Sequence, residues 1–80
     1  MKVKLYFELT WNNKKYYAET NEFEFDMPIP LLGDTINSSD FDIIYDDDNI
    51  QIDGIFFECF MRMYKYREKT LLLYFESTED

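Results

Sequence analysis

The chain has 80 residues, a formal net charge of −9 at pH 7 and a hydrophobic content of 46%, with eight Phe, seven Tyr and one Trp. This aromatic content argues against a disordered chain and predicts a single folded domain, 1–80. The sequence has no His and one cysteine, Cys59, which excludes His-containing triads, His-based zinc sites and an intramolecular disulfide.

The N-terminal third predicts two antiparallel strands. Residues 2–11 alternate between apolar and polar side chains, which is typical of a half-buried strand. Residues 12–14 form the expected turn, and the returning strand at 15–26 changes the parity of its apolar residues near Asn21. We therefore expect a β-bulge near Asn21. The bulge would turn three carboxylates outwards together: Glu22, Glu24 and Asp26.

The middle of the chain predicts an irregular acidic region. The prolines within 27–30 cannot donate to a ladder, so the chain is expected to leave the sheet there. The stretch 30–36, Pro-Leu-Leu-Gly-Asp-Thr-Ile, resembles the strand-entry turns of SH3-like small barrels, a resemblance that concerns fold alone. Further predicted elements are a turn at 33–34, a loop at 37–40, short strands at 41–45 and 50–52, a tight acidic turn at 46–49 and a hairpin turn at 53–54.

Residues 55–75 predict a long β-hairpin that turns at 67–70. A helix over 54–67 is the alternative, because Ile55, Cys59 and Met63 also fit helical spacing. Aromatic density and the Leu-rich segment that follows favour the strand. The predicted fold class is thus mainly β, a small antiparallel meander sheet or SH3-like small barrel of 5–6 strands with an irregular acidic central loop. An α+β fold with residues 54–67 helical is the alternative.

The charge is strongly segregated along the chain. Residues 18–60 contain twelve acidic residues and no Lys or Arg, whereas residues 1–17 and 61–80 contain all eight basic residues. One interpretation is that the acids provide solubility and protect sheet edges. The other is that they form a face that binds a basic partner. The residues of this predicted acidic face are Glu19, Glu22, Glu24, Asp26, Asp40, Asp42, Asp46, Asp47 and Asp48.

No pattern of catalytic residues emerges, and Cys59, within an apolar strand, is expected to fill the core. We expect no catalytic residue, no cofactor and no metal, although Asp46–Asp48 or Asp40 with Asp42 could in principle offer oxygen ligands. The basic cluster within 62–69 is expected to balance neighbouring acids rather than bind nucleic acid.

The sequence therefore predicts a non-enzymatic, cytoplasmic protein that binds a basic surface of a larger protein, with no direct contact to nucleic acid or membrane. The composition favours amino acids with AT-rich codons, which indicates an AT-rich source genome. The most specific hypothesis is therefore a phage or mobile-element inhibitor of the anti-CRISPR type. It would mimic nucleic acid and block a basic groove of a host nuclease or defence factor. The alternative is a structural or accessory small-barrel protein, and a homodimer remains open. The partner of such an accessory protein would bind exposed aromatic residues: Tyr6, Tyr17, Phe56, Tyr64 and Tyr66.

Overall fold

The structure, a computed structural model, describes residues 1–26, 28–45 and 54–79. These ranges form a mainly β fold, as predicted, in which the only helical segment described is a short 3-10 turn at Ser38–Asp40. The predicted acidic turn at 46–49 and the strand at 50–52 lie outside the described residues. The strands are β1 (Lys2–Trp11), β2 (Lys14–Glu19), β3 (Phe23–Glu24), β4 (Thr35–Asn37), β5 (Ile44–Tyr45), β6 (Phe56–Lys65) and β7 (Thr70–Glu79).

The described strands form one mixed sheet in the order β4-β6-β7-β1-β2-β5, and β3 also pairs with β1. Its central pair, β1 and β7, is parallel, with Val3 opposite Leu71 and Trp11 opposite Glu79. The sheet is therefore not antiparallel throughout, as a meander would be, and its described strands end at β4 and β5 instead of closing a barrel. The run Leu71-Leu72-Leu73 suits this central position, because a parallel strand buried on both faces is continuously apolar.

The predicted bulge lies between β2 and β3. Glu19 is opposite Tyr6, whereas Phe23 is opposite Val3, so three residues of this strand face two residues of β1. Thr20 occupies the bulge and is buried; its hydroxyl accepts a hydrogen bond from the Leu5 N–H at 3.0 Å. The extra residue allows apolar side chains on both sides of the bulge to face the core.

Residues 56–65 are a strand, and the helical alternative for 54–67 is wrong. Phe57 and Cys59 are both buried and the intervening Glu58 is exposed, which is the alternation of a strand. β6 pairs with β7 through a turn at 66–69, and its register shifts between Cys59 and Met61. Pairing with the Leu-rich β7 places Phe57 and Cys59 in the core, and cross-strand side-chain contacts stabilise the strand.

One face of the sheet, here called the inner face, carries the core. Phe7 lies at its centre, with its ring 5.0 Å from that of Phe57 and 5.5 Å from that of Phe75. Five partly buried residues from the middle of the chain pack against this core: Phe25, Ile29, Ile36, Phe41 and Ile43. Among the described residues, no helix is long and apolar enough to span a membrane.

Candidate protein-binding surface

The opposite side of the sheet, here called the outer face, stays largely open to solvent in the described ranges. Tyr17 is 52% exposed, and Phe60, Met61 and Met63 are also exposed. Strand alternation defines which side chains share this face. They include Phe56, Glu58, Phe60, Met61, Met63 and Lys65 of β6, Leu72, Tyr74, Glu76 and Thr78 of β7, Lys2, Lys4, Tyr6, Glu8 and Thr10 of β1, Lys15, Tyr17 and Glu19 of β2, and Glu24 of β3.

The centre of the outer face is aromatic. Tyr6 and Tyr74 are directly opposite across the parallel pair, and their rings stack at 4.9 Å with an interplanar angle of 11°. Phe60, at the register shift in β6, lies 6.4 Å from the Tyr74 ring. Leu72, the next outer-face residue of β7, is buried although it lies outside the inner core cluster. These contacts make a preformed apolar platform.

A shallow groove of about 190 Å³ lies beside this platform. The aromatic rings of Tyr6, Tyr17, Phe60 and Tyr74 line it, together with Glu8 and Glu19. The groove thus combines π-faces with carboxylates, a combination that suits a group with an apolar body and a positive charge.

A row of three carboxylates crosses the outer face next to the platform. Glu58 is directly opposite Glu76 on the neighbouring strand, and Glu76 is directly opposite Glu8. Glu8 forms an ion pair with Lys15, with 2.9 Å between Oε1 of Glu8 and Nζ of Lys15. No described residue forms an ion pair with Glu58 or Glu76. Like charges directly opposite each other in a sheet are destabilising, so this carboxylate row lowers the stability of the fold.

The two lysines beside the aromatic centre of this face, Lys4 and Lys15, form ion pairs with carboxylates. Hydrogen bonding to Glu8 and the negative charge of Glu8 raise the pKa of Lys15. Partial burial works to lower the pKa of Lys4, but Tyr6 and Glu19 outweigh it and the pKa is raised overall. The Lys4 ammonium is 3.6 Å from the Glu19 carboxylate and 5.2 Å from the centre of the Tyr6 ring. Both lysines therefore stay charged at neutral pH. The negative charge of Glu76 also contributes to the raised pKa of Lys15, so Lys15 partly compensates Glu76 although the two form no ion pair.

The predicted acidic face is largely neutralised where β3 lies against β1. Glu22 pairs with Lys2 at 3.0 Å, and Glu24 pairs with the amino group of Met1 at 3.1 Å. These pairs form because β1 carries Lys2 and Lys4 beside the carboxylates of the neighbouring strand. We call Glu22, Glu24 and Asp26 the acidic edge.

Asp40 and Asp42 lie near the acidic edge. The Phe41 ring between them is 6.3 Å from that of Phe23 and 6.2 Å from that of Phe25. Both aspartates line a cavity of about 290 Å³ together with Asn21. The described residues of the predicted face are thus divided: Asp40 and Asp42 line one cavity, whereas Glu19 and Glu24 lie opposite Tyr6 and Lys2 on the outer face. Asp46, Asp47 and Asp48 lie outside the described residues.

Of the predicted aromatic anchors, Tyr6 and Tyr17 lie on the outer face, and Phe56, which is exposed, lies on the same side of β6. Tyr64 instead packs against the core, and the exposed Tyr66 is in the hairpin turn with its ring 4.9 Å from that of Tyr64. The sequence-based prediction missed four outer-face residues: Glu58, Phe60, Tyr74 and Glu76. Their shared parity with Tyr6 and Glu8 becomes apparent only once β7 is paired with β1.

Cys59 is buried in the core, as expected, and burial raises the pKa of its thiol. Within the part of the chain that the structure describes, no group of three or more His, Cys, Asp or Glu residues is arranged to hold a metal ion. Comparison of the chain with protein-family models, curated proteins and solved structures gives no match.

Proposed function

We propose that this chain is a non-enzymatic protein-binding module that engages a basic surface of a larger protein through the outer face of its sheet. The carboxylate row Glu58–Glu76–Glu8 carries the proposal. Its like charges lie directly opposite one another, and among the described residues only Glu8 forms an ion pair, while Lys15 also interacts electrostatically with Glu76. Local features that lower stability without a structural return are often found at functional sites. A cationic partner would relieve the repulsion on binding.

The aromatic platform supports the same surface. Tyr side chains supply large contact areas at a small cost in conformational entropy, and they are enriched among residues that dominate binding energy. The Tyr6–Tyr74 stack fixes two of these rings before a partner arrives. An open aromatic centre bordered by carboxylates matches the layout of an interface with an apolar core and a charged rim.

The acidic edge is a weaker candidate for this role. A partner's cation would have to displace Lys2 from Glu22 or the Met1 amino group from Glu24, both of which are already at salt-bridge distance. The net gain from such an exchange is small, because one exposed ion pair replaces another. The carboxylates of Glu58 and Glu76 form no ion pair with a described residue, so they require no such exchange.

Inhibition by nucleic-acid mimicry is the most specific form of the proposal. The net charge of −9 would steer the chain towards a basic groove and raise the association rate at low salt. In this form the partner is a nucleic-acid-binding protein, such as a nuclease or defence factor of a phage-infected cell. The accessory-protein alternative uses the same platform but depends on the aromatic rings more than on the carboxylates.

Capture of partners from a lysate of the source cell, with matched charge reversals, tests the proposal. The immobilised double variant Glu58→Lys/Glu76→Lys is expected to lose a partner that the wild-type chain retains. The control Glu22→Lys/Glu24→Lys introduces the same charge change at the acidic edge and should retain it. Circular dichroism verifies that both variants are folded. Retention by the Glu58→Lys/Glu76→Lys variant would contradict the proposal.

Elution of the captured partner then distinguishes a mimic of nucleic acid from an accessory protein. Release by duplex DNA together with steep weakening as salt rises supports the mimic of nucleic acid. Affinity that is nearly constant with salt and insensitive to DNA supports the accessory protein bound through its aromatic rings.

A further inference from the structure

β6 is paired on both of its sides along only part of its length. β4 pairs with β6 at 56–58, and the turn at 31–34 extends this contact by one residue, because the Gly33 N–H donates to the Cys59 carbonyl at 2.8 Å. From 61 to 65, β6 pairs with β7 alone among the described strands. We call residues 61–65 the β6 edge, which is about 17 Å long at the usual rise of a strand.

The β6 edge is both apolar and exposed, since Met61 and Met63 are exposed to solvent. Strand edges of this kind present backbone donors and acceptors that a further strand can pair with. We propose that the β6 edge pairs antiparallel with the β6 edge of a second copy of this chain, about a two-fold axis at Met63. The dimer leaves the aromatic platform and the carboxylate row open, so the inference is independent of the proposed function.

The charges of the β6 edge select this register. A pair centred on Met63 uses every residue of the edge and sets Lys65 opposite Met61, and Arg62 opposite Tyr64, of the second copy. No like charges are then directly opposite, and the guanidinium of Arg62 gains an aromatic neighbour. Pairs centred on Arg62 or Lys65 would instead place two cations directly opposite each other. The positive charges that discourage other pairings of this edge are therefore compatible with this one.

Opposite charges meet just beyond the paired residues. In the Met63-centred register, the hairpin turn at 66–69 of one copy lies beside the turn at 31–34 of the other, because the latter turn is held at Cys59. The hairpin turn carries Arg67 and Lys69, which form no ion pair with a described residue. The turn at 31–34 carries Asp34, whose carboxylate also has no described cationic partner.

Exposed apolar side chains meet at the same place. Leu31 and Leu32 are 58% and 63% exposed, and Tyr66 in the hairpin turn is 82% exposed. Clustered exposure of large apolar residues marks interaction sites. A partner for this surface needs a basic turn with an exposed ring at one end and an acidic, leucine-bearing turn at the other. A second copy supplies both, because each end of a two-fold interface meets the other.

Sedimentation velocity of the purified chain between about 5 µM and about 500 µM tests the proposal. We expect the mass to rise from 9.8 kDa to twice that value. Met63→Lys places two cations on the two-fold axis and should raise the dissociation constant at least about tenfold. The control Ile44→Lys makes the same charge change at an exposed residue of β5, at the other end of the sheet, and should change it less than about threefold. Circular dichroism verifies that both variants are folded.

Disulfide cross-linking tests the register. Residues directly opposite each other in an antiparallel pair have Cα atoms about 4.5–5.5 Å apart, which is within the range of a disulfide. Met63→Cys in a Cys59→Ser background should therefore cross-link to its own copy under mild oxidation. Met61→Cys in the same background lies opposite Lys65 and should cross-link at least about tenfold more slowly.

Three results would overturn the inference. The first is a chain that stays monomeric at about 500 µM, which would show that a second copy does not occupy the β6 edge. The second is a dimer that Ile44→Lys weakens as much as Met63→Lys does, which would place the interface elsewhere. The third is faster cross-linking of Met61→Cys than of Met63→Cys, which would rule out the register centred on Met63.

Discussion

The two faces of the sheet are built from the same strands but have opposite physical characters. On the inner face, Val3, Leu5 and Phe7 of β1 meet Leu71, Leu73 and Phe75 of β7, and all of these residues are buried. On the outer face, the alternate residues of the same strands form an aromatic platform crossed by a carboxylate row. The inner face thus accounts for the stability of the fold. The outer face contains features that stability does not require, which directs the search for function to it.

The largest expected difference between the faces is in the cost of removing a ring. Phe7→Ala should lower the free energy of unfolding by about 3–5 kcal/mol, because it leaves a cavity between Phe57 and Phe75. The matched outer-face variant Tyr17→Ala should cost less than about 1 kcal/mol. Urea denaturation measures both. Equal costs would show that the outer face is also structural.

The second comparison between the faces is the reactivity of a cysteine thiol on each of them. Burial raises the pKa of Cys59 above its usual value of 9.0, so the native chain has less thiolate at pH 8 than the unfolded chain. Its labelling should be about a hundredfold slower than that of Met61→Cys in a Cys59→Ser background. A thiol-specific dye measures both rates, and similar rates would contradict the burial of Cys59. Because the folded-state pKa is raised, the contribution of Cys59 to stability is complete below pH 9.0 and is lost as the pH rises above it.

Charge reversal distinguishes the two acidic regions. Glu58→Lys/Glu76→Lys should weaken binding of a hexa-arginine peptide at least about tenfold, since two carboxylates that form no ion pair become cations. Glu22→Lys/Glu24→Lys should weaken it less than about threefold beyond the general loss of net charge. Isothermal titration calorimetry at low salt gives both affinities. The opposite ranking would move the binding surface to the acidic edge.

Neutralising a single carboxylate should give the smallest change in the free energy of unfolding, and the direction of that change is informative. Glu76→Gln should raise the free energy of unfolding by about 0.2–1 kcal/mol, because Glu76 is opposite both Glu58 and Glu8. Glu22→Gln removes a partner of Lys2 and should lower the stability slightly or leave it unchanged. Both effects should shrink at about 1 M salt. A loss of stability in Glu76→Gln would mean that the carboxylate row is not under repulsion.

Much of the inner face could be predicted from the sequence, because it depends on local patterns. The alternation in 2–11 indicates which side of β1 is buried, and the parity change near Asn21 indicates the bulge. The outer face could not be predicted, because it depends on the parallel pairing of the first and last strands. Only that pairing brings Tyr74 onto Tyr6 and Glu76 beside Glu8. Pairing also neutralises Glu22 and Glu24 of the acidic edge, which looked uncompensated because their partners lie about twenty residues earlier in the chain.

The central claim is that the aromatic platform and the carboxylate row of the outer face, and not the acidic edge, bind cationic groups of a partner. Chemical-shift mapping of the ¹⁵N-labelled chain with hexa-arginine peptide tests it most directly. The account predicts that the largest shifts fall on Tyr17, Glu58, Tyr74 and Glu76. Largest shifts at Glu22, Glu24, Asp40 and Asp42, with the platform and the carboxylate row unchanged, would contradict it.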